Sequence, residues 1–364
     1  MTGQPARDLI EDLGEHLSDT DHKDTVLCSG RAKKTLITPE EFVEIRDIDS
    51  PKRTAFVDGG DGTLEESPNF LITINRIYFS LFCGKSRIKP RSKSRVQFFS
   101  CVTSSVSADQ RASIRYDTRL FPYSKSDERY LPDESALASK SDSNAVLQGS
   151  RINSLSRSFA EWRLARHVVD EELEKGDVIV MDGSLQTSFK NESAYTEELY
   201  RAAVAKGVIV CGLSKTSRLV TESGEPLLAR IEEIAKDVKY GRWYVRVAEE
   251  TAPDNKGYVL AVKLHPKSQY VYRFEILREQ FKKMNQDEIG MVLGSLAENS
   301  EDVAMLGYPY GLIDADRFAQ VRYNELGMYR SYIRSEMMRH PGGKKMLKYS
   351  TANQAHDHLN GVTS

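Results

Sequence analysis

The chain has 364 residues, 29% of them charged and 40% hydrophobic, with a formal net charge of -2. This suits one large α/β domain with appendages, or two domains. Bulk charge gives no sign of a nucleic-acid partner, so such a partner must be sought in local patches, and no apolar run reaches the roughly 18 residues that span a bilayer. The four cysteines, Cys28, Cys83, Cys101 and Cys211, form no CxxC pair and no zinc spacing, so they read as reduced thiols. The polar start MTGQPARDLIEDL does not read as a secretory signal, and a cytoplasmic protein is expected.

Residues 5–20 have helical spacing, with Leu9, Ile10, Leu13 and Leu17 on one face. TPEEFVEIRDI, 38–48, starts like a capped helix, with Pro39 after Thr38. Together they predict an N-terminal helical arm over 1–50. RTAFVDGG then opens a strand series. NFLITINRIYFSLFCG (69–84), RVQFFSCVTSSV (95–106) and ASIRYDTRLF (112–121) continue it, the first two joined through a basic hairpin tip. Residues 123–150 are polar and Ser/Asp-rich and predict an excursion without regular structure.

SRSFAEWRLARHVVDEELEKG (156–176) predicts a helix with a glycine stop, and DVIVMDGS (177–184) a buried strand. ESAYTEELYRAAVAKG (192–207) and VIVCGL (208–213) repeat that pair, which argues parallel strands with helical crossovers. WYVRVAEE, GYVLAVKLH and QYVYRFEIL read as three more strands. Residues 287–299 and 314–338 read as helices, and the tail from His340 as frayed. Antiparallel strands followed by helix–strand–helix–strand is the order of the ribonuclease H-like fold, and of each half of the actin-like ATPases. The expected fold class is therefore α/β: a ribonuclease H-like mixed sheet flanked by helices, spanning 51–320, with C-terminal helices and tail over 321–364.

FVDGGDGT, 56–63, reads as a glycine-rich turn that could hold a phosphate or, through Asp58, a metal. VIVMDGSL, 178–185, echoes it: an apolar strand, Asp182, glycine, then a hydroxyl residue. Carboxylates at matching ends of neighbouring parallel strands are what a two-metal phosphodiester-cleaving site needs. The strand from Asp177 to Asp182 is about 17 Å long. Running back about 17–20 Å along the preceding helix reaches 161–164, so Glu161 lies level with Asp182. Glu161 is thus a candidate third ligand; the competing reading is a solvated glutamate paired with Arg157 one turn back. Asp61 reads as a structural turn residue. His265 ends a strand, where an imidazole could bind a metal or shuttle a proton. GKSRIKPRSKSR, 84–95, places Lys85, Arg87, Lys89, Arg91, Lys93 and Arg95 at alternate positions. An extended chain would aim all six one way, as a row of phosphate contacts; the alternative is a solvated turn around Pro90.

The chain resembles the NurA nucleases of archaea and bacteria over residues 52–320. The resemblance rests on FVDGGDGT, Arg157–Glu161, VIVMDGSL, GLSKTS (212–217), VKLHPKSQYVYRFEI (262–276) and LGYPYGLIDADR (306–317). It implies a homodimeric, metal-dependent DNA hydrolase with two Mn²⁺ or Mg²⁺ ions. The implied activity is 5′–3′ exonuclease with single-strand endonuclease action, in DNA end resection and double-strand break repair with a HerA-type hexameric translocase. It implies Asp58, Glu161, Asp182 and His265 as catalytic metal-binding residues and Lys215 as a phosphate contact. It also implies an active-site tyrosine, for which Tyr240 and Tyr244 both stand. The chain departs from the family in DGGDGT, where a simpler D-G-S is usual, and near Asp314 and Asp316, where the family often carries a histidine. The rival reading is an actin-like ATPase or sugar kinase with DGGDGT as its phosphate loop, which would need a second glycine-rich half that the chain after 207 does not offer.

Overall fold

The computed structural model describes residues 3–18, 36–106, 114–141, 149–221, 223–249 and 254–352. Cys28, residues 142–148 of the polar excursion and the tail beyond Ala352 lie outside the described residues. In chain order the elements are α1 (Gln4–Ser18), β1 (Val43–Glu44), β2 (Arg53–Ser67), β3 (Phe70–Cys83), β4 (Ser86–Arg87), β5 (Arg95–Val106), β6 (Ile114–Pro122), α2 (Glu134–Leu137) and β7 (Ser139–Ser141). There follow α3 (Gly149–Glu171), β8 (Val178–Asp182), α4 (Glu192–Lys206), β9 (Ile209–Ser214), α5 (Leu227–Ile234), β10 (Trp243–Glu249), β11 (Gly257–Lys263) and β12 (Tyr272–Leu277). The chain ends with α6 (Arg278–Phe281), α7 (Gln286–Glu298), α8 (Tyr310–Ala319), α9 (Tyr323–Arg339) and α10 (Gly343–Ala352). The architecture is mixed α/β, a large mixed sheet flanked by helices, as expected. Among the described residues no helix is long and apolar enough to cross a membrane.

The chain divides into two compact units. The first comprises Met1–Pro51, Met181–Gln186 and Val210–Pro309, and its strands run in the order β1-β10-β11-β12-β9. Its core packs Phe42 edge-on against Trp243, with Ile37, Ile231, Val245 and Ala261 around them. The second comprises Lys52–Val180, Thr187–Ile209 and Tyr310–Ser364. There β8 borders β2, and the order continues β3-β5-β6-β7, with β4 paired to β3. β2 and β3 are long antiparallel strands, from Arg53 opposite Cys83 to Ser67 opposite Phe70, with a register shift between Thr63 and Glu65.

Several sequence expectations give way to packing. Residues 38–48 form one 3-10 turn, Pro39–Glu41, and then β1. Phe42 and Ile45 are buried, and Val43 pairs with Tyr244, so these residues serve a sheet edge and a core. The 314–338 helix is two helices, parted at Gln320–Arg322, where Val321 turns inward and Glu325 caps the Arg322 backbone. The supposedly frayed tail carries α10, tied down by Ser350. The polar excursion holds a 3-10 turn, Lys125–Tyr130, with Asp127 and Tyr130 buried, as well as α2 and β7. α4 ends as read, with Gly207 at φ +76 capping it. Among the described residues Cys83, Cys101 and Cys211 form no disulfide, and burial pushes the Cys101 and Cys211 thiols up, as inert structural thiols require.

Candidate active site

FVDGGDGT is not a turn. β2 runs straight through it, with Asp58 opposite Tyr78, Gly60 opposite Arg76 and Gly62 opposite Ile74. The glycines instead admit close neighbours on both faces of the strand. A Cβ on Gly59 would meet Glu161 Oε1 at 2.2 Å, and one on Gly60 would meet the Ala319 carbonyl oxygen at 2.5 Å. Successive side chains of a strand point to opposite faces. Phe56, Asp58 and Gly60 therefore face α8, where Phe56 lies against Gly311. Gly59 and Asp61 face α3.

The α8 face of the second unit carries a carboxylate pair. Asp58 is 8% exposed, and its Oδ1 accepts a hydrogen bond from Gly59 N at 2.7 Å. A carboxylate oxygen of Asp316 lies within 4.8 Å of one from Asp58. Two like charges this close favour a bound cation, and hard carboxylate oxygens suit Mg²⁺ or Mn²⁺. Helix α8 is fixed to the sheet by Ser80 Oγ donating to the Gly311 carbonyl (2.8 Å), by Arg87 against the buried Asp314 (2.9 Å), and by Arg76 donating to the Gln320 carbonyl (2.8 Å). Burial raises the Asp314 carboxyl above its usual range, opposed by Arg87.

The α3 face is acidic too, but an arginine spans it. Arg157 donates to Asp61 Oδ1 (2.9 Å), to the Gly59 carbonyl (3.1 Å) and to Glu161. Its guanidinium is held above its ordinary value by Glu161 first, then by Asp61 and Asp58. Glu161 thus sits against Gly59 of β2 while making the Arg157 pair that was its competing reading. Asp61 is the strand's anchor for Arg157 rather than a turn residue.

In the first unit, Asp182 closes β8 with its side chain 14% exposed. Lys215 Nζ lies 2.8 Å from its Oδ2, and the Tyr308 hydroxyl donates to its Oδ1 at 3.4 Å. Lys215 also sits over the Tyr308 ring, 5.5 Å from its centre, and Tyr272 packs on the same ring. His265 follows β11 in a tight turn: its Nδ1 accepts from Lys267 N (3.1 Å) and its carbonyl from Ser268 N (3.0 Å). In the neutral ring this leaves the proton on Nε2. Gly307, at φ +88, lets that turn approach; a Cβ there would meet Ser268 Oγ at 2.4 Å and His265 Cβ at 3.6 Å. His265 is therefore a neighbour of the Gly307–Tyr308 segment that serves Asp182. Tyr308 is the tyrosine on Asp182. Tyr244 is fully buried, its hydroxyl with no hydrogen-bond partner among the described residues, and Tyr240 lines a cavity of about 530 Å³ with Glu40, Tyr244 and Met291. Tyr308 and Asp316 were both inside LGYPYGLIDADR; the missed signal was their spacing along one segment.

The basic tip does not form an extended comb. β4 is two residues long, and the chain then turns back through Pro90. Arg87 is turned to the Tyr78 hydroxyl (2.6 Å), Asp314 and the Phe318 ring. Buried Glu172 accepts from the backbone of Arg91 and Ser92, and Lys93 meets buried Asp127 at 2.5 Å. Lys85, Lys89 and Arg95 are exposed, so alternation in sequence does not become one row in space.

The NurA domain model matches residues 52–321. The fold is similar to that of the NurA nuclease from Sulfolobus solfataricus, with a TM-score of 0.52 and 12% identity, covering 92% of this chain and 94% of that one. Weaker likenesses to Aquifex aeolicus Argonaute, at 8–9% identity, have TM-scores of 0.30 and 0.31 and cover 76% of this chain but 28% and 29% of those. No curated protein matches the chain in sequence. A family model spanning about three quarters of the chain, from the residue before β2 to the second residue after α8, takes in every candidate site residue named above, and the chain therefore belongs to the NurA family.

Proposed function

We propose that this chain is a metal-dependent nuclease that hydrolyses DNA phosphodiester bonds. Membership of the NurA family supports a nuclease. The observation that carries the reading is the carboxylate pair of Asp58 and Asp316, able to offer one oxygen each to a divalent cation. Glu161 is the further carboxylate of the proposed site, available to a second ion once it exchanges Arg157 for it. Bound Mn²⁺ or Mg²⁺ would polarise the scissile phosphodiester and acidify a water molecule.

The chain's own residues do the rest. Lys215 exchanges Asp182 for a phosphate oxygen of the substrate and holds it by charge. Tyr308 donates a hydrogen bond that fixes the Asp182 carboxylate. Until an ion takes its place, Arg157 keeps Glu161 oriented beside Gly59 of β2, whose missing side chain leaves room for the Glu161 carboxylate. His265, beside Gly307, has Nδ1 engaged by Lys267 N, and its Nε2–H donates a hydrogen bond to a phosphate oxygen in the proposed reaction. The finer reading is 5′–3′ exonuclease with single-strand endonuclease activity, as a homodimer working in end resection with a HerA-type translocase. The phosphate-loop reading loses ground, because a phosphate loop needs free backbone N–H groups and Gly59–Gly62 lie in a paired strand.

The test is cleavage of end-labelled single- and double-stranded DNA with Mn²⁺, Mg²⁺ or EDTA, with and without a HerA-type ATPase. Metal-dependent cleavage that disappears in Asp58→Asn supports the assignment; full activity in that variant ends it. Micromolar ATP binding without DNA cleavage would restore the kinase reading.

A further inference from the structure

α9 and α10 lie beyond residue 321, where the family match stops. Residues 322–352 carry seven Lys/Arg against Glu325 and Glu336, and none of 337–352 is acidic, in a chain of net charge -2. The bases differ in what they do. Arg330 donates to the Thr63 carbonyl, and Arg334 pairs with Glu65 at 2.5 Å; both bind the helices to β2. Arg339 pairs with Glu336 on its own helix. Lys344, Lys345 and Lys348 are exposed. At about 100° per residue they occupy one side of α10, opposite Gly343 and Ser350, which are buried. Tyr349 flanks them, with Lys345 Nζ 5.6 Å from its ring centre.

This surface is built rather than frayed. Glu65 on β2 is 1% exposed and accepts from both Arg334 and Ser350. Gly343 touches the Met337 carbonyl so closely that any side chain there would displace α10. Tyr329 accepts from the buried Gln97, and Arg76 pairs with Glu325 at 2.8 Å, fixing α9 as well. Glu65 lies seven residues beyond Asp58 on the same strand, about 23 Å away at 3.3 Å per residue. A duplex rises about 3.4 Å per base pair, so the anchor of α10 on β2 lies about seven base-pair rises from Asp58 along the strand.

We propose that Lys344, Lys345 and Lys348 form a phosphate-binding surface for the DNA duplex, contacting it several base pairs away from the bond cleaved at Asp58. The offset, though not the binding, rests on the nuclease reading above. Counterion release sets the expected size: three phosphate contacts contribute about 2.7 to the slope of log K against log salt.

The experiment is fluorescence anisotropy of the full chain with labelled duplexes of 6 and 20 base pairs in EDTA, over a salt series. The variant is Lys344→Gln/Lys345→Gln/Lys348→Gln, with the triple Lys→Arg variant as a charge-preserving control. On the 20-mer the Gln variant is expected to lose about 2–3 from the salt slope and at least about tenfold in affinity at 0.1 M salt. The 6-mer is expected to lose far less, and the Arg variant to keep the wild-type slope. An unchanged slope on the 20-mer overturns the proposal, as does a loss of self-association or of translocase binding with DNA affinity intact. Binding is read without cleavage, so a chain that binds through these lysines but cuts nothing would fail the nuclease reading alone.

Discussion

The two faces of β2 are both acidic, and they are organised in opposite ways. On the α3 face, Arg157 already sits among Glu161, Asp61 and the Gly59 carbonyl. On the α8 face, Asp58 and Asp316 bring two carboxylates within 4.8 Å of each other. One face has its cation built into the sequence; the other has the charge and the oxygens for a cation from solution. The comparison teaches that acids gathered at one level of a fold are not equivalent ligands, and that strand alternation decides which group each joins.

The largest effect is expected on the α8 face. Asp58→Asn should lower DNA cleavage by about 1,000-fold or more, corresponding to the several kcal/mol a metal supplies to a phosphoryl transition state. DNA affinity, measured in EDTA, should change little. Asp316→Asn and Glu161→Gln then separate the faces. Asp316→Asn should weaken metal binding with or without substrate. Glu161→Gln should chiefly raise the Mn²⁺ concentration needed for half-maximal cleavage, by about 10–100-fold, as for residues that support a metal site. Equal titration curves for the two variants would break the distinction.

A smaller effect belongs to the built-in cation. Arg157→Met should cost about 2 kcal/mol, visible in a urea or thermal melt, because Glu161 and Asp61 then lose their partner in a partly buried site. The smallest is a pH effect at the α8–α9 junction. Arg76 holds the Glu325 carboxyl below its ordinary value of 4.5, chiefly by hydrogen bonding. A lowered folded value means that this contribution is complete above 4.5 and is lost as pH falls through the folded value. The melting difference between the wild-type chain and Glu325→Gln should therefore be constant at neutral pH and shrink below about 4.5.

Much of this was legible in the residues. The alternation of α3, β8, α4 and β9 followed from apolar period and glycine stops, and the Arg157–Glu161 pair followed from their spacing of one helical turn. What was not legible depended on partners distant in sequence. DGGDGT looked like a turn because its glycines have no strand propensity; pairing with β3 over the whole length of β2 overrides that. The basic alternation over 85–95 hid the buried acids Glu172, Asp127 and Asp314, which draw half of those side chains to the protein. Asp316 and Tyr308 were missed because their roles arise from α8 packing on β2 and from the turn at Gly307, neither of which has a local signature.

The most direct measurement is calorimetric titration of Mn²⁺ into the full chain without DNA, beside Asp58→Asn, Asp182→Asn and Asp316→Asn. The account predicts saturable binding in the wild-type chain that weakens at least about tenfold in each variant. Binding that is absent from the wild-type chain, or equal in all four proteins, would contradict it.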